Sequence, residues 1–215
     1  MILRNFKIKL SSVKCQVYLG IGVLAGMMNI AQAQETALLS EEELSKKPIY
    51  NNLLRAYQEY DKVFRLALKG SGGYYGKVDA IPADIDTLVN LQYFYVVNEA
   101  LSDLPPSFGA LQNLQQLYLS GNKFQQIPDT VFTLKNLKRL DMRANQLSRI
   151  PAEIEKLSEL EYLYINDNRT LDTLPIEAIA RLKNLKVLNA TNTRIPREQL
   201  IKIKERLTQA EIHYD

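Results

Sequence analysis

Five prolines divide the chain at nearly constant intervals. Pro82, Pro105, Pro128 and Pro151 stand 23 residues apart, Pro175 follows after 24, and each is preceded by Ile or Leu. A period of this length marks one supersecondary unit copied along the chain, and such units stack into coils rather than wrapping one central core. Upstream of the prolines the pattern L-x-x-L-x-L-x-x-N-x-L-x-x-L-P recurs. One copy is Leu114, Leu117, Leu119, Asn122, Phe124, Ile127, Pro128; the next is Leu137, Leu140, Met142, Asn145, Leu147, Ile150, Pro151. A third runs Leu160, Leu163, Ile165, Asn168 and reaches Leu171, Leu174 and Pro175 after one inserted residue. Weaker copies flank these, with Glu99 and Thr193 at the Asn position, and the most degenerate begins at Val63, Leu66, Leu68.

These residues resemble the leucine-rich-repeat family over roughly residues 63–196, in the 23-residue form found in bacterial and plant-like members. The resemblance implies an α/β solenoid. A curved parallel sheet lines its concave face, short helices and turns form its convex face, and helical caps close both ends. It also implies an interaction scaffold with no cofactor. The physics of the pattern agrees. In L-x-L the side chains alternate faces, so Leu117 and Leu119 turn inward while Gln116, Tyr118 and Ser120 turn outward. A single strand cannot bury its apolar face alone, but stacked coils bury a continuous one. Asn122, Asn145 and Asn168 fall where the chain leaves the strand. Their amides offer both a donor and an acceptor to the backbone there, which makes them a structural ladder rather than ligands.

The same frame lists the outward residues. The central column reads Ala67, Tyr95, Tyr118, Asp141, Tyr164, Asn189, and the column before it Arg65, Tyr93, Gln116, Arg139, Tyr162, Val187. The column after it includes Lys69, Arg143 and Asn166. Five of the chain's 12 tyrosines fall on three of these strands, and none is needed by the leucine core. Tyrosine suits exposed strand positions, yet it also supplies contact area and a hydroxyl at low entropic cost. The surface expected to bind a partner is therefore Tyr93, Tyr95, Tyr118, Arg139, Asp141, Arg143, Tyr162, Tyr164 and Asn166. Arg139 and Arg143 flank Asp141, and mutual charge compensation is the competing reading of that trio.

The N-terminus reads differently. Arg4, Lys7, Lys9 and Lys14 precede an apolar run, residues 17–31, and Ala31-Gln32-Ala33 ends it. That is the tripartite form of a cleaved secretory signal, and about 15 apolar residues is short of the roughly 20 a membrane-crossing helix needs. Cleavage after Ala33 removes four basic residues and no acid, taking the formal charge from +3 to −1. No basic excess then remains to argue for nucleic acid. The expected division is signal 1–33, flexible polar leader 34–47, N-terminal helical cap 48–62, about six repeats over 63–195, and a C-terminal cap helix and short strand over 196–215. The cap helix near Pro48 would bury Ile49, Leu53, Leu54 and Tyr57; the one after Pro196 would bury Leu200, Ile203 and Leu207.

No catalytic arrangement emerges. One Cys and one His cannot build a four-ligand zinc site. The run from Gly70 to Lys77 lacks the Gly and the Ser or Thr of a phosphate loop, carrying Ser71 and Val78 there. It is expected to be an insertion loop with Tyr74 and Tyr75 as further contacts. Asp141 has tyrosines beside it rather than a second carboxylate, and Asn166-Asp167-Asn168 lacks the other ligands of a calcium loop. The sequence thus points to an exported, non-catalytic protein-binding module, with no cofactor and no metal. A carbohydrate-binding or adhesin-like surface module is the alternative, since tyrosine faces also stack on sugar rings.

Overall fold

The computed structural model describes residues 37–70 and 77–215. The expected signal segment, residues 34–36, and Tyr74 and Tyr75 lie outside the described residues. From Leu39 onward the chain forms one compact unit. Eight short strands make a single all-parallel sheet in sequence order: β1 (Ile49–Tyr50), β2 (Arg65–Ala67), β3 (Tyr93–Tyr95), β4 (Gln116–Tyr118), β5 (Arg139–Asp141), β6 (Tyr162–Tyr164), β7 (Val187–Asn189) and β8 (Glu211–His213). The register is that of the repeat. Leu66, Phe94, Leu117, Leu140, Leu163, Leu188 and Ile212 align as neighbours across the sheet. Their side chains enter one core with Leu119, Met142 and Ile165, and burying each Leu or Ile contributes about 1.5–3 kcal/mol. Phe94 replaces leucine on β3 and meets Phe108 edge-on, ring centroids 5.1 Å apart.

The convex return is made of single turns. Pro105, Pro128 and Pro151 precede 3-10 helices at Pro106–Ala110, Asp129–Thr133 and Ala152–Lys156, and Pro175 precedes α3 (Ile176–Ile179). Proline's fixed φ starts the turn and its missing N–H costs nothing there.

Each ladder asparagine lies at the strand exit. Asn145 Nδ2 donates to the carbonyls of Leu119, Met142 and Arg143, and its Oδ1 accepts from the Phe124 N–H. Asn122 and Asn168 repeat this one coil to either side. Glu99, at the same position, accepts instead from the N–H groups of Gly70 and Val78, joining the two ends of the insertion. A second ladder runs before the strands, where Asn90, Asn113, Asn136 and Asn184 each donate to a carbonyl of the preceding coil. Beyond each of β3 to β7 one residue takes a left-handed conformation: Asn98, Gly121, Ala144, Asp167 and Asn192, with φ between 51° and 68°.

The terminal regions differ from expectation in two places. Pro48 does not open a helix. Ile49–Tyr50 pairs with Arg65–Leu66 and extends the sheet, and the helix starts later, as α2 (Leu53–Gln58), because Asn52 caps it by accepting from the Arg55 N–H. The expected flexible leader, 34–47, contains a helix, α1 (Glu41–Ser45). Ser40 and Glu43 form a reciprocal capping box and Leu44 is 2% exposed, so local capping and burial together hold the segment. At the other end α4 (Arg197–Arg206) follows Pro196 with Leu200, Ile203 and Leu207 buried, and β8 lies beyond it.

Candidate interaction face

Parallel pairing sets the outward residues in rows. Tyr93, Gln116, Arg139 and Tyr162 form one row; Tyr95, Tyr118, Asp141 and Tyr164 form the next. Adjacent strands bring the first three tyrosines together. Tyr93 and Tyr95 stack at 6.3 Å, Tyr93 and Tyr118 lie 5.2 Å apart, and Tyr95 and Tyr118 5.9 Å. Tyr162 and Tyr164 stand two strands away and form a second group around arginine. The Arg139 guanidinium lies 4.0 Å over the Tyr162 ring, and its Nη1 donates to the Tyr164 hydroxyl at 3.3 Å. Arg143 covers Tyr164 at 5.5 Å.

Asp141 separates the two groups and does not face solvent. Its side chain is 1% exposed, and its carboxylate accepts from Arg143 Nε, Nη2 and backbone N–H. The outward residue of the repeat is thus covered by its own neighbour, and Arg143, 47% exposed, presents the surface instead. Arg139 does not share in that pair; it turns to the tyrosines and to Glu41 at 3.8 Å. Asn166 is half-buried and donates to the adjacent Asp167. Burial pushes the Tyr118 phenol up to about 12 and raises that of Tyr93, so both hydroxyls remain protonated donors near neutral pH. The hydrogen bond from Arg143 to Asp141 raises the guanidinium further. The face offers aromatic area, hydroxyls and fixed cations, which are means of recognition. Among the described residues no group of three or more His, Cys, Asp or Glu side chains could hold a metal.

Several residues of this face were not singled out from the sequence. Arg65 lies over Tyr93 at 4.8 Å and Lys69 over Tyr95 at 5.8 Å, so cations border both tyrosine groups. Gln92 and Gln115 are buried at the strand entrance and touch Leu39. The available signal was positional: the two glutamines stand 23 residues apart, where later coils carry Lys138, Glu161 and Lys186.

The profile of the leucine-rich repeat region matches residues 62–209. The chain belongs to the leucine-rich-repeat family. Its fold is similar to those of solved leucine-rich-repeat proteins from bacteria and plants. A leucine-rich-repeat protein of Leptospira interrogans is 25% identical, with a TM-score of 0.53, over 78% of this chain and 58% of that one. An internalin of Listeria monocytogenes is 22% identical, with a TM-score of 0.56, over 72% of this chain and 41% of that one, and shows the fold alone. The Arabidopsis receptor kinase HAESA, solved with a peptide hormone and a co-receptor, is 27% identical, with a TM-score of 0.55, over 73% of this chain and 27% of that one. This leucine-rich-repeat chain therefore spans less than two thirds of the length of each of these structures. No curated protein matches it in sequence. No helix among the described residues is long and apolar enough to cross a membrane.

Proposed function

We propose that this leucine-rich-repeat protein is an exported, non-catalytic module that binds a protein partner through its tyrosine-rich concave face. The observation that carries the reading is the surplus of outward aromatics in register. Tyr93, Tyr95 and Tyr118 form one contiguous ring cluster, and Tyr162 and Tyr164 are held by Arg139 and Arg143. Stacking coils does not require those side chains, and Tyr and Arg are the residue types that dominate binding hot spots. The leucine-rich-repeat fold is typically a protein-interaction scaffold, and HAESA was solved with its peptide and co-receptor bound. Export rests on the tripartite N-terminus, residues 1–33.

The test has two stages. Partners are captured on the immobilised chain and identified, and affinity is then measured for Tyr118→Ala, Tyr164→Ala and the convex control Lys135→Ala. Loss of a central aromatic anchor should weaken binding by about thirtyfold, equivalent to about 2 kcal/mol, with the melt nearly unchanged. Unchanged affinity in both tyrosine variants, with a loss at Lys135, would move the site to the convex face.

A further inference from the structure

The strand entrances of β3 and β4 carry a feature that coil stacking does not explain. Gln92 and Gln115 are 0% and 4% exposed. The Leu39 N–H donates to Gln92 Oε1 at 3.0 Å, and Gln115 Nε2 donates to the Leu39 carbonyl at 2.8 Å and to Gln92 Oε1 at 2.8 Å. Two side-chain amides thus read both polar groups of one residue's backbone, as a neighbouring strand would. Two residues on, Glu41 faces Arg139 on β5. The following coils place charged side chains, Lys138, Glu161 and Lys186, at the positions of the two glutamines, so a solenoid rim has no need of a buried amide pair.

The segment that fills this rim does so incompletely. Gln92 Nε2 is buried with no acceptor among the described residues, in a fold where nearly every other buried amide is paired. The closest Arg139–Glu41 ion-pair distance is 3.8 Å, longer than a charge-assisted hydrogen bond. A cleft of about 90 Å³ remains between α1 and the sheet, with Gln115, Lys138, Arg139, Glu161 and Tyr162 in its walls. Of its charged walls on the sheet, Glu161 is already paired with Lys186, which leaves Lys138 and Arg139 as positive neighbours for an incoming group.

We propose that the rim formed by Gln92, Gln115 and Arg139 is a binding subsite for an extended acidic polypeptide segment, filled in this structure by the chain's own Leu39–Glu41. An incoming segment would supply a carbonyl to Gln92 Nε2 and a carboxylate closer to Arg139, and would extend into the cleft beside Tyr162. The subsite shares Arg139 with the tyrosine face, while its backbone-reading contacts, Gln92 and Gln115, lie outside that face. In the intact chain the tethered segment competes at an effective concentration in the millimolar range for a short linker.

The probe is a fluorescein-labelled peptide with the sequence of residues 39–47, titrated by anisotropy against the full chain. Leu44→Asp removes the one buried anchor of α1 and should release the segment, which hydrogen exchange of amides 39–45 verifies. The released chain should bind the peptide about tenfold or more tightly than the unaltered chain, and adding Gln115→Leu should abolish that gain. A peptide carrying Glu41→Lys should bind weakly, and Tyr95→Ala, whose ring touches Tyr93, Tyr118 and Lys69 and no residue of the rim, should leave peptide binding unchanged, which separates this result from the tyrosine-face reading. Equal binding with and without Gln115→Leu, or no binding to a chain whose segment exchanges freely, would overturn the proposal. Should Leu44→Asp unfold the protein, Gln115→Leu alone decides: amides 39–45 must exchange faster while β4 stays protected, and unchanged exchange overturns it.

Discussion

Arg143 grips Asp141 from two residues further along the same β5 exit, with Nη2 2.6 Å from Oδ2 and Nε 2.9 Å from Oδ1. The carboxylate is buried and the guanidinium is half-exposed, so the two partners depend on each other unequally. Removing Arg143 strands a buried charge, whereas removing Asp141 leaves a cation that water can solvate. Arg143→Ala should therefore lower stability by more than Asp141→Ala. A double-mutant cycle by chemical denaturation should give a coupling of about 0.5–3 kcal/mol. A coupling near zero would mean that the pair is ornamental.

The asparagine ladder and the leucine core should separate cleanly from the surface. Asn145→Ala leaves the buried Phe124 N–H without its acceptor and takes one of two donors from each of the Leu119, Met142 and Arg143 carbonyls, and should cost about 1–3 kcal/mol. Leu140→Ala opens a cavity between coils and should cost about 2–5 kcal/mol. Lys135, exposed on the convex side, should tolerate alanine with a change within about 0.5 kcal/mol. Thermal melts that rank Lys135 above Leu140 would refute the register.

The left-handed residues after β4 and β5 give predictions of opposite sign. Ala144 holds φ 51° with a Cβ, at a cost of roughly 1–2 kcal/mol that glycine would not bear. Glycine's extra freedom in the unfolded chain offsets part of this, so Ala144→Gly should raise stability by about 0–1 kcal/mol. Gly121→Ala should lower it, because a Cβ there meets the Asn98 side chain as well as the left-handed backbone. A stabilised Gly121→Ala would show that the turn relaxes freely.

Alkaline titration should expose the buried phenols. The folded pKa of Tyr118 is raised to about 12, chiefly by burial, above the ordinary value of 10.0. As pH rises past 10, the unfolded chain loses this proton before the folded one does. Stability is thus intact below pH 10 and falls progressively toward pH 12. Tyr118→Phe should flatten that fall in denaturation series at stepped pH. An identical slope in the variant would place the raised phenol elsewhere, with Tyr57, held up by burial and by Asp84, the next to examine.

Lost affinity in Tyr118→Ala and Tyr164→Ala with unchanged melts is the expected functional result. The Tyr118 ring packs on Tyr93 and Tyr95, and the Tyr164 ring on Arg139 and Arg143, rather than in the leucine core. A melt that fell together with affinity would instead make these tyrosines part of the fold.

The sequence by itself determined the coil. A 23-residue period with apolar residues at fixed offsets admits one strand register, because any slip would turn Leu117, Leu140 and Leu163 toward water. The rows Tyr95–Tyr118–Asp141–Tyr164 and Tyr93–Gln116–Arg139–Tyr162 followed from counting alone, and the observed pairing is the same. Only the tertiary structure decided which outward residues reach solvent. Asp141 and Tyr118 occupy equivalent positions, yet one is buried under Arg143 and the other faces a ring cluster, since side-chain partners across and along strands have no sequence period. The same holds for the segment before β1. Residues 39–45 read as polar leader because their stabilising contacts, Gln92 and Gln115, lie 53 and 76 residues away from Leu39. A repeat encodes what each coil does to its neighbour, and it carries no record of what a non-repeating segment does when it folds back across several coils.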